Sequence, residues 1–126
     1  MAALSNYLED AVLDATLRDN PYTSPTTVYL ALFTDNPTDA DTGTEVAGGS
    51  YERQSAAFDA PSGGSCINSA DLSFEDMPGV TVSHVGIYDD STGGNLLFHG
   101  PLAATKTVAS GDTFLIRQGD LTITLD

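Results

Sequence analysis

Four acidic side chains that could ligate a metal cluster in one polar segment, residues 35–50. Carboxylates at alternating positions can converge on a hard cation, and Ca²⁺ prefers oxygen ligands of this kind. Their spacing around Gly43 differs from the helix–loop–helix calcium loop, which needs another acid before its glycine and a distant glutamate. Two interpretations stay open, a calcium site and a solvated loop that tolerates salt. The candidate ligands are Asp35, Asp39, Asp41 and Glu45.

The two histidines are the other candidate ligands. If a hairpin closes at Ser91-Thr92, His84 and His99 face each other across a strand pair. Directly opposed side chains come within about 5.5 Å at Cβ, close enough to share a metal or to repel on protonation. Two histidines without further ligands make a poor metal site, so polar pairing on a strand face is the alternative.

No residue pattern in the sequence supports catalysis. The serines of Gly48-Gly49-Ser50 and Gly63-Gly64-Ser65 read as turn residues, without the strand–elbow–helix signature of a hydrolase nucleophile. No glycine-rich loop is followed by a lysine, so a nucleotide site is not indicated. Cys66 flanks a turn without a basic neighbour and cannot form an internal disulfide, since it is the only cysteine. We predict a protein that is not an enzyme and has no organic cofactor.

The net charge excludes some classes of binding partner. Four Lys and Arg stand against 18 Asp and Glu, which leaves a formal net charge of −14. Such a surface repels phosphate backbones and anionic lipid, so we expect neither nucleic acid nor membrane as a partner. Salt relieves the self-repulsion by shortening the Debye length from about 10 Å at 0.1 M to about 3 Å at 1 M. We predict a halophilic protein, with a merely acidic one as the alternative, and expect Arg53 and Arg117 to pair with acids within the chain or across an interface.

The elements that position these residues read as one domain, residues 1–126. Leu4, Tyr7, Leu8, Ala11, Val12 and Ala15 recur at helical spacing and predict a helix within residues 1–20, capped by Ser5 or Asn6. The apolar run 27–33 predicts a central strand covered on both faces, one of them by this helix. Glu9, Asp10 and Asp14 interrupt the N-terminal apolar stretch, so we expect no signal peptide.

The remainder predicts short strands separated by turns. Together with the run 27–33, about eight strands within residues 26–126 predict an antiparallel β-sandwich or barrel that carries the acidic loop 35–50. The protein is thus expected to be mainly β with one N-terminal α-helix. The other predicted strands are 51–58, 70–74, 80–88, 96–98, 105–109, 113–117 and 121–125.

A series of short segments resembles a family of small tailed-phage and prophage proteins commonly labelled "phage tail fibre protein". The segments follow one another in the family's order and cover nearly the whole chain. The high acidity departs from the family's pattern and fits a virus of a salt-loving host. The segments are Leu4 to Asp10, Tyr22 to Pro25, Val28 to Thr34, Gly48 to Gln54, His84 to Asp89, Thr92 to Leu97, Ser110 to Asp112 and Gly119 to Leu125.

The resemblance implies a component of the virus particle without catalytic residues. It would be a subunit of a tail appendage or fibre, or a capsid decoration protein, made in the host cytoplasm. Its expected partners are other virion proteins and further copies of itself in a symmetric oligomer. The alternative is an adhesin module that binds a host receptor or glycan through residues 35–50.

Overall fold

A computed structural model describes residues 3–125, so Met1, Ala2 and Asp126, which fall in the predicted domain, lie outside the described residues. Within that range the chain forms one helix and nine strands. The prediction of a mainly β protein with one N-terminal helix is therefore confirmed. The elements are β1 (Ala3–Leu4), α1 (Asn6–Leu17), β2 (Val28–Phe33), β3 (Gln54–Ala56), β4 (Ser65–Ile67), β5 (Leu72–Phe74), β6 (Val80–Tyr88), β7 (Leu96–Val108), β8 (Phe114–Ile116) and β9 (Thr122–Thr124).

The strands form one large and two small antiparallel sheets. The large sheet has the order β1-β7-β6-β2-β3, and the small sheets pair β4 with β9 and β5 with β8. Leu30, Leu32 and Ile87 of the large sheet share the main core with Phe74 and Phe114 of the small ones. The arrangement roughly fits the predicted sandwich, but it does not close into a barrel.

Strand β2 is central, as its apolar run predicts. It lies between β6 and β3, and every residue from Leu30 to Phe33 is buried. Leu30 and Leu32 enter the main core, whereas Ala31 and Phe33 form a second cluster with Tyr88 and Leu96. Because side chains alternate along a strand, the two clusters lie on opposite faces of the sheet.

The helix is shorter than the predicted range 1–20 and packs on different strands. Ser5 caps it by accepting a hydrogen bond from the Leu8 N–H at 3.1 Å, while the Ser5 hydroxyl donates to the Leu96 carbonyl. The helix contacts β7 and β1, so the expectation that it would cover β2 is wrong. Ala31 and Phe33 of β2 cluster instead with Tyr88 of β6 and Leu96 of β7. No helix in the described part of the chain is long and apolar enough to cross a membrane.

Two strand predictions need correction. The segments 96–98 and 105–109 belong to one strand, β7, which pairs with β6 through an irregular stretch between the His84–Pro101 and Val82–Lys106 pairs. Sequence reasoning also missed β1 and β4. Their residues pair with β7 and β9, and pairing with a distant strand leaves no periodic signal in segments this short.

Candidate functional site

The acidic loop, residues 35–50, folds back on the end of β2. The Thr34 N–H donates to the Thr44 carbonyl at 3.0 Å, and the Val46 N–H donates to the Leu32 carbonyl at 2.9 Å. Thr38 has a φ of 61°, which is unfavourable for a β-branched residue. Gly43 is required sterically, since a Cβ there would lie 2.5 Å from the Pro37 Cα. The loop therefore has a defined conformation despite its polar composition.

Two of the four predicted ligands are engaged near the tip of the loop. The Asp39 carboxylate accepts a hydrogen bond from His99 Nε2 at 2.7 Å, and the Asp41 carboxylate accepts one from the Tyr88 hydroxyl at 2.5 Å. The Asp39 carbonyl also accepts the Asn6 N–H at the start of α1, at 2.8 Å. These contacts attach the loop to β6, β7 and the helix.

The other two predicted ligands are engaged at the base of the loop. The Asp35 carboxylate accepts the Thr44 N–H at 2.6 Å, and Glu45 binds Arg53 and Tyr51. The four carboxylates thus have four separate sets of partners. Within residues 3–125, no group of three or more His, Cys, Asp or Glu is placed to hold a metal ion. Calcium binding stays a prediction, which a calorimetric titration with CaCl₂ would test.

Arg53 makes hydrogen bonds both to the acidic loop and to the β6–β7 hairpin. Its Nε and NH2 groups donate to the two Glu45 carboxylate oxygens at 3.0 and 2.9 Å. Its NH1 group donates to the carbonyls of Asp90 and Gly93 at 3.0 and 2.8 Å, and its Cζ lies 3.7 Å from the centre of the Tyr88 ring. The side chain is only 9% exposed. Arg53 therefore joins the acidic loop to the β6–β7 hairpin, which confirms the predicted pairing in its intrachain form.

Two tyrosines complete the hydrogen-bond network around Arg53. The Tyr51 hydroxyl accepts the Leu32 N–H at 2.9 Å and donates to Glu45 at 2.7 Å. Burial, followed by the hydrogen bond to a carboxylate, raises the pKa of Tyr51 and of Tyr88 well above the ordinary value of 10.0. Burial alone would lower the pKa of Arg53, but the hydrogen bonds and charge of Glu45 raise it. All three groups therefore keep their protons at neutral pH, as the network requires.

The predicted pairing of the two histidines is wrong. His84 lies opposite Pro101 and His99 lies opposite Gly86, two residues from the predicted register. One residue comes from the hairpin, which pairs Tyr88 with Leu96, and one from the register shift between Ile87 and Tyr88. His84 bonds its neighbour Ser83 at 2.8 Å through Nδ1, whereas His99 bonds Asp39. The histidines therefore have separate polar partners instead of sharing a ligand.

The remaining candidates lie apart from the loop. Cys66 is half-buried in β4, opposite Ile123, in keeping with a structural residue. Arg117 is exposed after β8 and makes no ion pair with any residue in 3–125. Two clefts, of about 430 and about 270 Å³, are both lined by Ile87 and Phe98 of the large sheet and by Ile123 of β9.

The outward face of α1 is the feature that sequence reasoning missed. Leu8 is the only residue of the helix that is fully buried. Leu13 is 53% and Leu17 is 75% exposed, and both lie outside the predicted apolar stripe. Their i, i+4 spacing places them on one face, which is the signal that could have found them. An apolar surface is therefore left open at the edge of the large sheet.

One of two comparisons with known proteins places the chain in a family. A search of curated proteins finds no match. The family model described as "Podophage GP4 fiber I protein gp80" matches residues 3–124, which include the helix, the acidic loop and all nine described strands. The chain therefore belongs to this family of podophage fibre proteins.

Proposed function

We propose that the protein is a non-enzymatic structural subunit of a tailed-virus fibre, exposed on the particle surface and assembled as a symmetric oligomer. The observation that carries this proposal is the family match across residues 3–124. Membership of a phage fibre family implies a place in the virion and association with other virion components. Attachment to the tail, in preference to a place on the capsid surface as a decoration protein, follows from the same match.

The contacts in the structure support a structural role in an assembly. The charged and hydroxyl groups of the acidic loop bind one another and the sheet, as Glu45 and Arg53 do, so they stabilise the fold. The exposed leucines of α1 instead offer apolar surface to a neighbour. Affinity between subunits would then come from apolar burial, with salt screening the repulsion between acidic copies.

The high acidity supports a halophilic virus as the finer assignment. Of the scarce cations, Arg53 and Arg18 are already paired with acids of the chain. The remaining negative charge must be screened by ions when copies assemble. Stability against urea is therefore expected to rise from low to molar KCl, and a protein whose stability is indifferent to KCl would contradict the halophilic assignment.

The test of the virion assignment is the content of purified particles. Mass spectrometry of particles from a density gradient should detect the chain, and antibody labelling should place it on the fibres. Label on the capsid surface would favour the decoration role. Absence of the chain from infectious particles would contradict any structural role in the virion.

An adhesin role is the second candidate, and the defined conformation of the acidic loop favours it. A loop already fixed by internal bonds loses little conformational entropy when it binds a receptor or glycan. Ala40 is exposed near its tip, so Ala40→Arg should block binding to host cells without unfolding the domain. Ala104→Arg, at an exposed position on β7, is the matched control. Equal cell binding by both variants and the native protein would contradict this role of the loop.

A further inference from the structure

We propose that the free edge of β9, with the larger cleft beside it, binds an extended segment of another virion protein, which pairs with β9 as a further strand. Within residues 3–125, β9 pairs with β4 alone. In recognition by strand addition, backbone hydrogen bonds at a sheet edge give affinity, and pockets accept alternate side chains of the added strand. The inference rests on the proposed function, because it names a surface through which the protein joins its neighbours in the particle.

The pairing of β9 with β4 determines which of its backbone groups point outward. The Leu125 N–H donates to the Gly64 carbonyl at 2.7 Å, at one end of the pair. Antiparallel strands alternate between hydrogen-bonded and non-hydrogen-bonded pairs, so Thr124 and Thr122 belong to non-hydrogen-bonded pairs. Their N–H and C=O groups therefore point away from β4. These two donors and two acceptors specify a peptide backbone as the occupant, since a small apolar molecule cannot bond them.

The sequence of β9 has none of the features that protect an open sheet edge. Natural proteins usually protect such edges with proline, charged side chains or a bulge. Residues 121–125 are Leu-Thr-Ile-Thr-Leu, and threonine and isoleucine favour strands. Across the cleft, β7 carries Pro101, which has no N–H to donate, and pairs irregularly with β6 beyond that residue. Of the two edges beside the cleft, β9 is therefore the one open to a further strand.

The larger cleft lies directly beside this edge. It is bounded by residues 120–123 on one side and residues 100–103 on the other, and Ile87 and Phe98 of the large sheet also line it. Its volume of about 430 Å³ is in the ordinary range of ligand pockets. Because side chains alternate along a strand, an added strand would direct every second side chain into this space. Apolar side chains at alternate positions of the partner would thus be buried.

The charge of the chain indicates the chemistry of the partner. The net charge of −14 makes another acidic copy the less favourable occupant. Asp120 is exposed, and it is the one carboxylate among the described residues that line the cleft. A lysine or arginine at the end of the added strand would lie near this carboxylate. We therefore expect a segment of a different protein, in which apolar and uncharged polar residues alternate between basic ends.

Hydrogen exchange of backbone amides, compared between the isolated chain and purified particles, tests the strand addition. The Thr122 and Thr124 amides should exchange at least about tenfold more slowly in the particles. The Leu125 amide is bonded within the chain, so it should be protected in both samples. Equal exchange of Thr122 and Thr124 in the two samples would overturn the proposal. Detection of the chain in the particles is a separate result, so this failure can be told apart from failure of the virion assignment.

A synthetic peptide tests the chemistry of the partner. The probe has the sequence KVTVTVK, with valine at alternate positions between two lysines, and fluorescence anisotropy measures its binding to the full chain. The matched control has the sequence EVTVTVE, and it should bind at least about tenfold more weakly because its ends repel the acidic chain. Absence of binding by the probe, or equal binding by the two peptides, would overturn the assigned partner.

A proline in β9 separates strand addition from attraction by charge alone. Thr122→Pro removes one outward N–H and none of the hydrogen bonds to β4. It should bind the probe at least about tenfold more weakly than Thr122→Val, which loses the same hydroxyl but keeps the N–H. Equal binding by the two variants would overturn the proposal. Urea denaturation checks that both variants are folded, and the exchange comparison in particles decides the question without either of them.

Discussion

The acidic loop and the outward face of α1 differ in an unexpected way. The polar groups of the loop are bonded within the chain, whereas apolar side chains of the helix are exposed. The loop is rich in carboxylates, yet Asp35, Asp39, Asp41 and Glu45 each have a partner within the chain. The helix exposes Leu13 and Leu17, which are 53% and 75% exposed. The carboxylates that resemble a cation site by composition are thus engaged within the chain, whereas the two leucines of the helix are exposed.

This difference teaches that a side chain's partners, more than its type, indicate which surface is free to bind. Beside the loop, Arg53 donates its hydrogen bonds to Glu45 and to two backbone carbonyls. Losing part of such a network would leave buried polar groups without hydrogen-bond partners, which costs free energy. The network therefore holds the loop in one conformation. Exposed apolar area has the opposite consequence, since its burial against a partner is favourable.

The largest expected effect is the loss of the Arg53 network. Arg53→Ala leaves the Glu45 carboxylate with the Tyr51 hydroxyl as its remaining donor and removes the Arg53 donor from the carbonyls of Asp90 and Gly93. We expect the free energy of unfolding to fall by about 3 kcal/mol, the lower end for breaking a buried pair, because Glu45 is 27% exposed. Urea denaturation measures the change.

Arg18→Ala is the matched control for that prediction. Its pair with Asp14 lies on the helix surface at 3.2 Å, and the Arg18 side chain is 76% exposed. Exposed i, i+4 pairs contribute only about 0.3–0.5 kcal/mol. Similar losses of stability in the two variants would show that the loop network is no tighter than an ordinary surface ion pair.

A smaller effect is expected from the hydroxyl that connects the loop network to β2. Tyr51→Phe removes the acceptor of the Leu32 N–H, in a residue with 0% exposure, and leaves that donor unsatisfied. We expect a loss of about 2 kcal/mol in urea denaturation. Tyr88→Phe removes only the bond to the exposed Asp41 and should cost about 1 kcal/mol. The reverse order would contradict the assigned role of Tyr51.

Removing the helix cap should have a smaller effect still, this time on the other region. Ser5→Ala deletes the acceptor of the Leu8 N–H and the donor to the Leu96 carbonyl. Loss of such a cap typically costs about 1 kcal/mol. The change should also speed proteolysis within α1 while leaving the acidic loop intact. Increased cleavage in the loop instead would show that the two regions are not independent.

Alkaline pH should weaken the loop network specifically. The folded state raises the pKa of Tyr51 and Tyr88 above the ordinary value of 10.0, so above that pH the unfolded chain holds fewer protons than the folded one. The contribution of the protonated Tyr51 and Tyr88 hydroxyls to the free energy of unfolding is fully present below pH 10.0 and is lost as the pH rises further. The double variant Tyr51→Phe/Tyr88→Phe should show a shallower decline in urea denaturation, and an unchanged decline would contradict the linkage.

Local patterns predicted much of the fold but few of its long-range contacts. The apolar run of β2 and the helical spacing before it were sufficient for the class, and the helix cap was predicted as Ser5 or Asn6, of which the structure has Ser5. The register of β6 and β7 was predicted wrongly by two residues, since it depends on where the hairpin closes and on an irregularity between Ile87 and Tyr88. The two halves of β7 were separated in the prediction for a similar reason, because irregular pairing breaks the alternation.

The sequence placed the four predicted calcium ligands in one loop but did not predict their contacts, and calcium binding by them stays a prediction. The four acids do form one loop, yet their partners come from distant segments, as the Arg53 contact to Gly93 shows. A sequence window cannot contain such pairs. The exposed leucines of α1 were visible as an i, i+4 pair, but whether a helix face is covered depends on the tertiary packing of the other elements.

Hydrogen exchange of backbone amides tests the contrast between the two regions most directly. The measurement compares dilute and concentrated protein in molar KCl. We predict that Thr44 and Val46 of the loop stay protected at every concentration, since their N–H groups are bonded within the chain. Amides of α1 should gain protection only as the concentration rises. A loop that exchanges freely, or a helix whose exchange ignores concentration, would contradict the account.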